Sequence, residues 1–102
     1  MNDRAASEVL HLTGALDFQS LPTVLAESEQ YAARTDLPDR LTIDFSAITG
    51  VDSSAVALLL EWRRAALARG KTLVFANLPA NLVALAELYG VAELIQPHSA
   101  PA

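Results

Sequence analysis

Three places in the sequence carry side chains able to do chemistry. The first is Asp52-Ser53-Ser54, a carboxylate followed by two hydroxyls. A carboxylate just ahead of an apolar helical run accepts a hydrogen bond from an orphan amide of the first turn, so Asp52 is expected as the N-cap. The hydroxyls then stand at the positive end of the helix dipole, where an anionic group is tolerated without unfolding the helix. Such a turn can be phosphorylated at Ser53 or Ser54, or sensed by a protein partner. The second place is His11. It has no acidic or thiol neighbour at a suggestive spacing and reads as a structural strand histidine. The third is Asp44, which has no second acid or base beside it in sequence. It reads as a carboxylate that bonds amides of the following loop or faces solvent.

Catalysis is the class these residues favour least. A nucleophilic Ser53 or Ser54 needs a base, and neither His11 nor His98 is placed by sequence to supply one. There is no Gly-x-x-x-x-Gly-Lys-Ser/Thr cradle, no pair of histidines at metal spacing and no Gly-x-Ser-x-Gly elbow. The absence of cysteine excludes disulfides, zinc thiolates and thiol chemistry, and is compatible with a reducing cytosol. No catalytic residue, metal or cofactor is therefore expected. A net charge of −5 argues against nucleic acid or anionic lipid headgroups as direct partners and favours a protein.

The elements that must position these residues follow from periodicity. At 102 residues the chain is expected to form one domain over 1–102, loose at 1–7 and 97–102. Met1-Asn2-Asp3-Arg4 precedes no apolar signal region, and no run reaches the roughly 18 apolar residues of a membrane span. Glu8–Thr13 reads as a strand stopped by Gly14. A helix capped by Asp17 or Ser20 follows, with Pro22 in its first turn and Leu21, Val24, Leu25, Ser28, Tyr31 and Ala32 on one stripe. Thr35–Asp39 is a loop. Leu41–Phe45 is a second strand, and a loop containing Gly50 leads to the helix of Asp52. Gly70 ends that helix. Thr72–Ala76 is a third strand, Ala80–Tyr89 a helix closed by Gly90, and Val91–Ile95 a helical turn or an edge strand. Strands alternating with helices predict an α/β domain with a small mixed or parallel sheet and helices packed mainly on one side.

The helix after Asp52 carries two apolar stripes at about 100° per residue. Ala55, Leu58, Leu59, Trp62, Ala65 and Ala66 form the face expected against the sheet. A second stripe runs through Ser53, Val56, Ala57, Leu60, Arg64 and Leu67, where a solvated face should be mostly charged. Either a neighbouring helix covers it, or it is a protein-docking ridge that begins at Ser53 and has Arg64 as a polar anchor. Ser54 points about a quarter turn away.

This arrangement resembles the STAS domain, the fold of bacterial anti-sigma-factor antagonists, over nearly the whole chain. Leu12-Thr13-Gly14-Ala15-Leu16-Asp17 is similar to the family's first strand and Gly-x-Leu-Asp turn. Ile43-Asp44-Phe45-Ser46 and Val51-Asp52-Ser53-Ser54 are similar to its central strand and signature loop. In antagonists the phosphorylated serine corresponds to Ser54 and is usually followed by glycine, where this chain has Ala55. Ala57-Leu58-Leu59-Leu60 and Leu85-Ala86-Glu87-Leu88-Tyr89-Gly90-Val91 resemble more closely the STAS subunit of the Mla ABC complex for phospholipid transport. There a threonine commonly takes the position of Ser53, in the region that meets the ATPase subunit. The resemblance implies a non-catalytic cytoplasmic subunit held at the inner membrane by an ABC ATPase, without inserting into the membrane itself. The other implied role is an antagonist of an anti-sigma kinase, switched by serine phosphorylation. Lipid as cargo comes from the resemblance alone, since no acyl-chain pocket is evident in the residues.

Overall fold

The computed structural model describes residues 7–95. Apart from Ser7, the segments expected to be loose lie outside these, as does His98. Seven elements follow one another: β1 (Ser7–Leu16), α1 (Leu21–Ala32), β2 (Arg40–Val51), α2 (Ser53–Ala68), β3 (Thr72–Ala76), α3 (Ala80–Leu88) and α4 (Ala92–Ile95). The strands form one sheet in the order β1-β2-β3, and both pairings are parallel. The fold is thus a small α/β domain, and among the described residues its sheet is parallel. Val91–Ile95 resolves into a helical turn.

Alternation along the strands decides which face is covered. Ile43, Phe45 and Phe75 point inward and are buried, with the two phenyl rings edge-to-face at 5.8 Å. Ala55, Leu58 and Leu59 of α2 join them in one core, and Leu21, Val24 and Leu25 of α1 pack against the same core. Both crossover helices therefore lie on one side of the sheet. Val9, His11 and Thr13 alternate to the other side and are exposed.

The strands run further than their sequence pattern suggests. β1 continues through Gly14 to Leu16, and β2 absorbs the expected Gly50 loop. Pairing survives because β2 carries one extra residue between the His11↔Asp44 and Thr13↔Ala47 pairs, and another between Gly14↔Ile48 and Ala15↔Gly50. Bulges of this kind let a ladder resume after an irregular step. The β-branched Ile48, Thr49 and Val51 suit the extended backbone that results.

Helix ends are set locally. Ser20 precedes α1 without bonding its amides. Its hydroxyl donates to the Ala15 carbonyl at 2.8 Å, while its own amide donates to Asp17 Oδ1 at 2.9 Å. At the other end of α1, Tyr31 donates to Glu8, and Arg34 pairs with the same carboxylate. α2 and α3 finish alike. Gly70 and Gly90 adopt φ of 72° and 74°, which costs glycine little. In each case the glycine amide and the one after it turn back onto the last helical carbonyls, as Lys71 N–H does onto Ala66 at 2.9 Å and Val91 N–H onto Ala86 at 2.9 Å.

Two expectations for α2 need correction. Val56, assigned to the outer stripe, is 3% exposed. The reason is that α3 and α4 pack along that side, bringing Leu82, Ala86 and Ile95 into the same core. Ala65, assigned to the sheet-facing stripe, is exposed. The two faces of α2 should separate on truncation. Leu59→Ala is expected to cost about 2–5 kcal/mol in urea unfolding, whereas Leu67→Ala, at a site 57% exposed, should stay within about 0.5 kcal/mol. Equal losses would mean the faces are wrongly assigned.

Candidate functional site

The N-terminus of α2 is organised by one carboxylate. Asp52 stands at the N-cap with extended backbone, φ −136° and ψ −171°. Its Oδ1 accepts the Ser54 amide at 2.9 Å and the Ser54 hydroxyl at 2.5 Å. Its Oδ2 accepts the Phe18 amide at 3.0 Å from the turn between β1 and α1. Its own amide donates to the Leu16 carbonyl at 3.3 Å. The Ser54 hydroxyl and the Phe18 amide hold the Asp52 carboxyl below its ordinary value, so the cap is a carboxylate at neutral pH.

This geometry separates the two serines. Ser54 is half-buried and its hydroxyl is committed to Asp52. Ser53 is exposed, and no group among the described residues bonds its hydroxyl. With Val56 in the core, the outer stripe reduces to Ser53, Ala57, Leu60, Arg64 and Leu67. All are exposed except Leu60, which is half-buried. Their spacing of four, three, four and three is that of a narrow helical seam. Arg64 closes on Glu61 of its own helix, Nη2 to Oε2 at 2.5 Å, a solvated pair that adds little stability. Phe18, at 77% exposure, is a further apolar group, and its amide is held by the Asp52 carboxylate at the start of α2. The sequence reading missed it. The available signal was an aromatic residue that belongs to neither helical stripe and follows the Leu16-Asp17 turn.

A second polar cluster lies on the open face of the sheet. Asp44 is 8% exposed. His11 Nδ1 lies 2.9 Å from its Oδ2, the Ser46 hydroxyl donates to Oδ2 at 2.7 Å, and Asn77 Nδ2 donates to Oδ1 at 2.7 Å. The Ser46 amide also donates, at 3.3 Å, so Asp44 bonds a backbone amide as expected, but one that lies within β2 rather than in a loop. The histidine partner was not expected. Parallel register sets His11 opposite Asp44, across 33 positions of sequence. Asn77, Ser46 and His11 hold the carboxyl far below the usual range. The serine donates to the carboxylate rather than to the imidazole, so no relay toward a nucleophile forms. The cluster ties β1, β2 and the end of β3 together. Among the described residues no three metal-ligating side chains converge.

A family profile described as the Mlab STAS domain matches residues 1–96. Comparison with curated proteins finds no match. Among solved structures, the unphosphorylated form of the anti-sigma factor antagonist SpoIIAA superposes with a TM-score of 0.70. That likeness covers 98% of this chain and 86% of the other at 17% identity.

Two substitutions test the two carboxylates. Asp52→Ala should lower Tm and increase amide hydrogen exchange both at Ser54 and at Phe18, because one side chain holds both amides. Exchange unchanged at Phe18 would sever the proposed link between turn and helix. For Asp44, a depressed pKa means that its stabilisation is complete above the usual carboxylate value of 3.8. It is lost progressively as pH falls below that value. Asp44→Asn should therefore be less stable at neutral pH and show a flatter fall in stability below about pH 4, as read by denaturant titration at stepped pH.

Proposed function

The chain belongs to the Mlab-type STAS domain family, and from that membership we propose that it is the non-catalytic STAS subunit of an ABC-type phospholipid transporter. Members of this family are binding or regulatory modules that act through other proteins. In this reading the partner is the transporter's ATPase subunit. The docking element is the α2 seam of Ser53, Ala57, Leu60 and Arg64, with Phe18 beside its head. The domain works in the cytoplasm, at the inner membrane through that partner, in a system that maintains the lipid asymmetry of the outer membrane. No helix among the described residues is long and apolar enough to cross a membrane, so attachment through a protein fits this reading.

The observation that carries it is the exposed, uncommitted hydroxyl of Ser53 at the start of a regular seam of small and half-apolar residues. Small side chains let a partner helix approach closely, and a free hydroxyl supplies one directional contact. The second reading is an antagonist of an anti-sigma kinase switched by phosphorylation of Ser54. The likeness of fold to SpoIIAA favours it. The local electrostatics oppose it, because a phosphate adds about −1.5 to −2 charges on a hydroxyl that already touches the Asp52 carboxylate. Phosphorylation at Ser54 would first have to break the bond from its hydroxyl to Asp52.

Expressed with its native neighbours, the chain should copurify with an ABC ATPase. Ser53→Arg and Ala57→Glu should each weaken that association at least about tenfold, about 1.4 kcal/mol, with Tm within a few degrees of the parent. Retained binding in either folded variant would remove the seam as the docking site. Intact-mass analysis and site mapping on protein isolated from cells separate the two readings. Stoichiometric phosphate on Ser54, with a kinase rather than an ATPase captured, would replace the first by the second.

A further inference from the structure

A cleft of about 400 Å³ opens between α1, the C-terminal half of α2 and the inner face of the sheet. It stays open because α1 is tied at its two ends and not along its middle. Ahead of its first turn the Ser20 hydroxyl donates to the Ala15 carbonyl of β1 at 2.8 Å. At its end Tyr31 and Arg34 bond Glu8 of β1, and Arg69 donates to the Ala32 carbonyl at 2.6 Å. Between these ties no residue of α1 is fully buried. Val24 and Ser28 line the cleft from that side, and α2 sets only the small Ala65 and Ala66 against it. Folded interiors leave few voids larger than a water molecule. This one is not legible in the sequence, because its walls come from five separate elements.

The floor of the cleft is Leu12, Leu41, Ile43 and Leu73 from the three strands. Its polar side chains are engaged elsewhere or turned away. The Ser28 hydroxyl donates to the Leu25 carbonyl of its own helix at 2.8 Å, and Tyr31 donates to Glu8. His11, Thr13 and Thr72 alternate to the opposite face of the sheet and are exposed. Lys71 bonds the Leu37 carbonyl at 3.3 Å and lies 3.5 Å from Asp39. At the rim Arg69 and Lys71 are balanced by Glu27 and Asp39, so the mouth carries no net charge. Water gains little in such a place, since a buried water typically makes about three hydrogen bonds. A preformed, poorly hydrated apolar site favours an apolar ligand.

We propose that this cleft binds an uncharged, apolar small molecule, an aryl or alkyl body without an ionised group. Its volume falls within the roughly 300–1,000 Å³ of small-molecule sites. A charged ligand would give up hydration for walls that hold no free counter-charge, which is costly. A neutral body displaces only poorly bonded water. No residue of the Ser53–Leu67 seam lines the cleft, so this site stands or falls independently of the docking reading.

Trp62 is the single tryptophan of the chain and lines the cleft, so its emission reports on binding there. The full chain is titrated with butylbenzene, 4-phenylbutanoate and 4-phenylbutylammonium, three probes that share one body, with calorimetry in parallel. Butylbenzene, kept below its solubility limit, should bind saturably with one site per chain. It should bind at least about tenfold more tightly than either ion. Ethylbenzene should bind more weakly than butylbenzene, by about fourfold for each methylene removed. Nuclear Overhauser contacts from the bound ring should reach the methyl groups of Val24, Ile43 and Leu73. Ser28→Phe and Ala66→Phe, which fill the cleft from opposite walls, should weaken butylbenzene at least about tenfold in whichever variant melts like the parent. The proposal is overturned if butylbenzene does not saturate, or if either ion binds as tightly. It is also overturned if the contacts fall outside the cleft, or if a folded, filled variant binds as well as the parent.

Discussion

The parallel ladder between β1 and β2 is the constraint from which the rest of this molecule follows. Parallel strands need a long crossover, and here the crossover is α1. Because pairing continues past two bulges to Leu16↔Val51, the turn after β1 and the start of α2 emerge side by side. Only then can the Asp52 carboxylate reach both the Phe18 amide and the Ser54 amide. The same register brings His11 to Asp44. If the ladder ended at Gly14, the helix would still be capped, but nothing would hold the turn of Phe18 against it.

This dependence explains what could be read in the sequence. Asp52 as a cap, the glycine stops at Gly70 and Gly90, and the α/β alternation are local properties, carried by propensities and hydrogen bonds within a few residues. They are legible for that reason. The length of β2 is not local. Ile48-Thr49-Gly50 has no apolar alternation of its own and becomes a strand only because β1 lies beside it. Val56 is another case of distance deciding. Its place on the outer stripe follows correctly from helical periodicity, yet α3 and α4 cover that side of α2, which no periodicity within α2 reveals. His11 and Asp44 stand 33 residues apart, so no local pattern joins them. Only the parallel register pairs them.

The candidate site was legible to the same extent and for the same reason. Ser53 and Ser54 are indistinguishable as residue types, and helix geometry ranks them only by direction. The structure adds the bond from the Ser54 hydroxyl to Asp52, which makes one serine part of the cap and leaves the other to solvent. A hydroxyl held by a carboxylate is a poor reporter, because any partner must first compete with a charge-assisted bond. A hydroxyl without a bond has only water to exchange. Burial of Val56 sharpens the contrast further, since the remaining seam follows a single spacing rule instead of a broad, ill-defined stripe.

The seam's composition has a physical logic of its own. An exposed ridge of large apolar residues on so small a domain would invite self-association. Ser53 and Ala57 expose little apolar surface, Leu60 is half withdrawn into the core, and Arg64 is kept solvated by Glu61. Such a surface stays dispersed alone and gains chiefly from close backbone approach, which requires a partner of matching shape rather than any greasy surface. Leu67 and Phe18 are the exceptions, and the Phe18 amide is held by the carboxylate that caps the helix. In the proposed docking, an aromatic anchor near the start of the seam would concentrate recognition at the head of α2. That end is also where the backbone is most firmly specified, since the ladder, the cap and the turn all meet at Asp52.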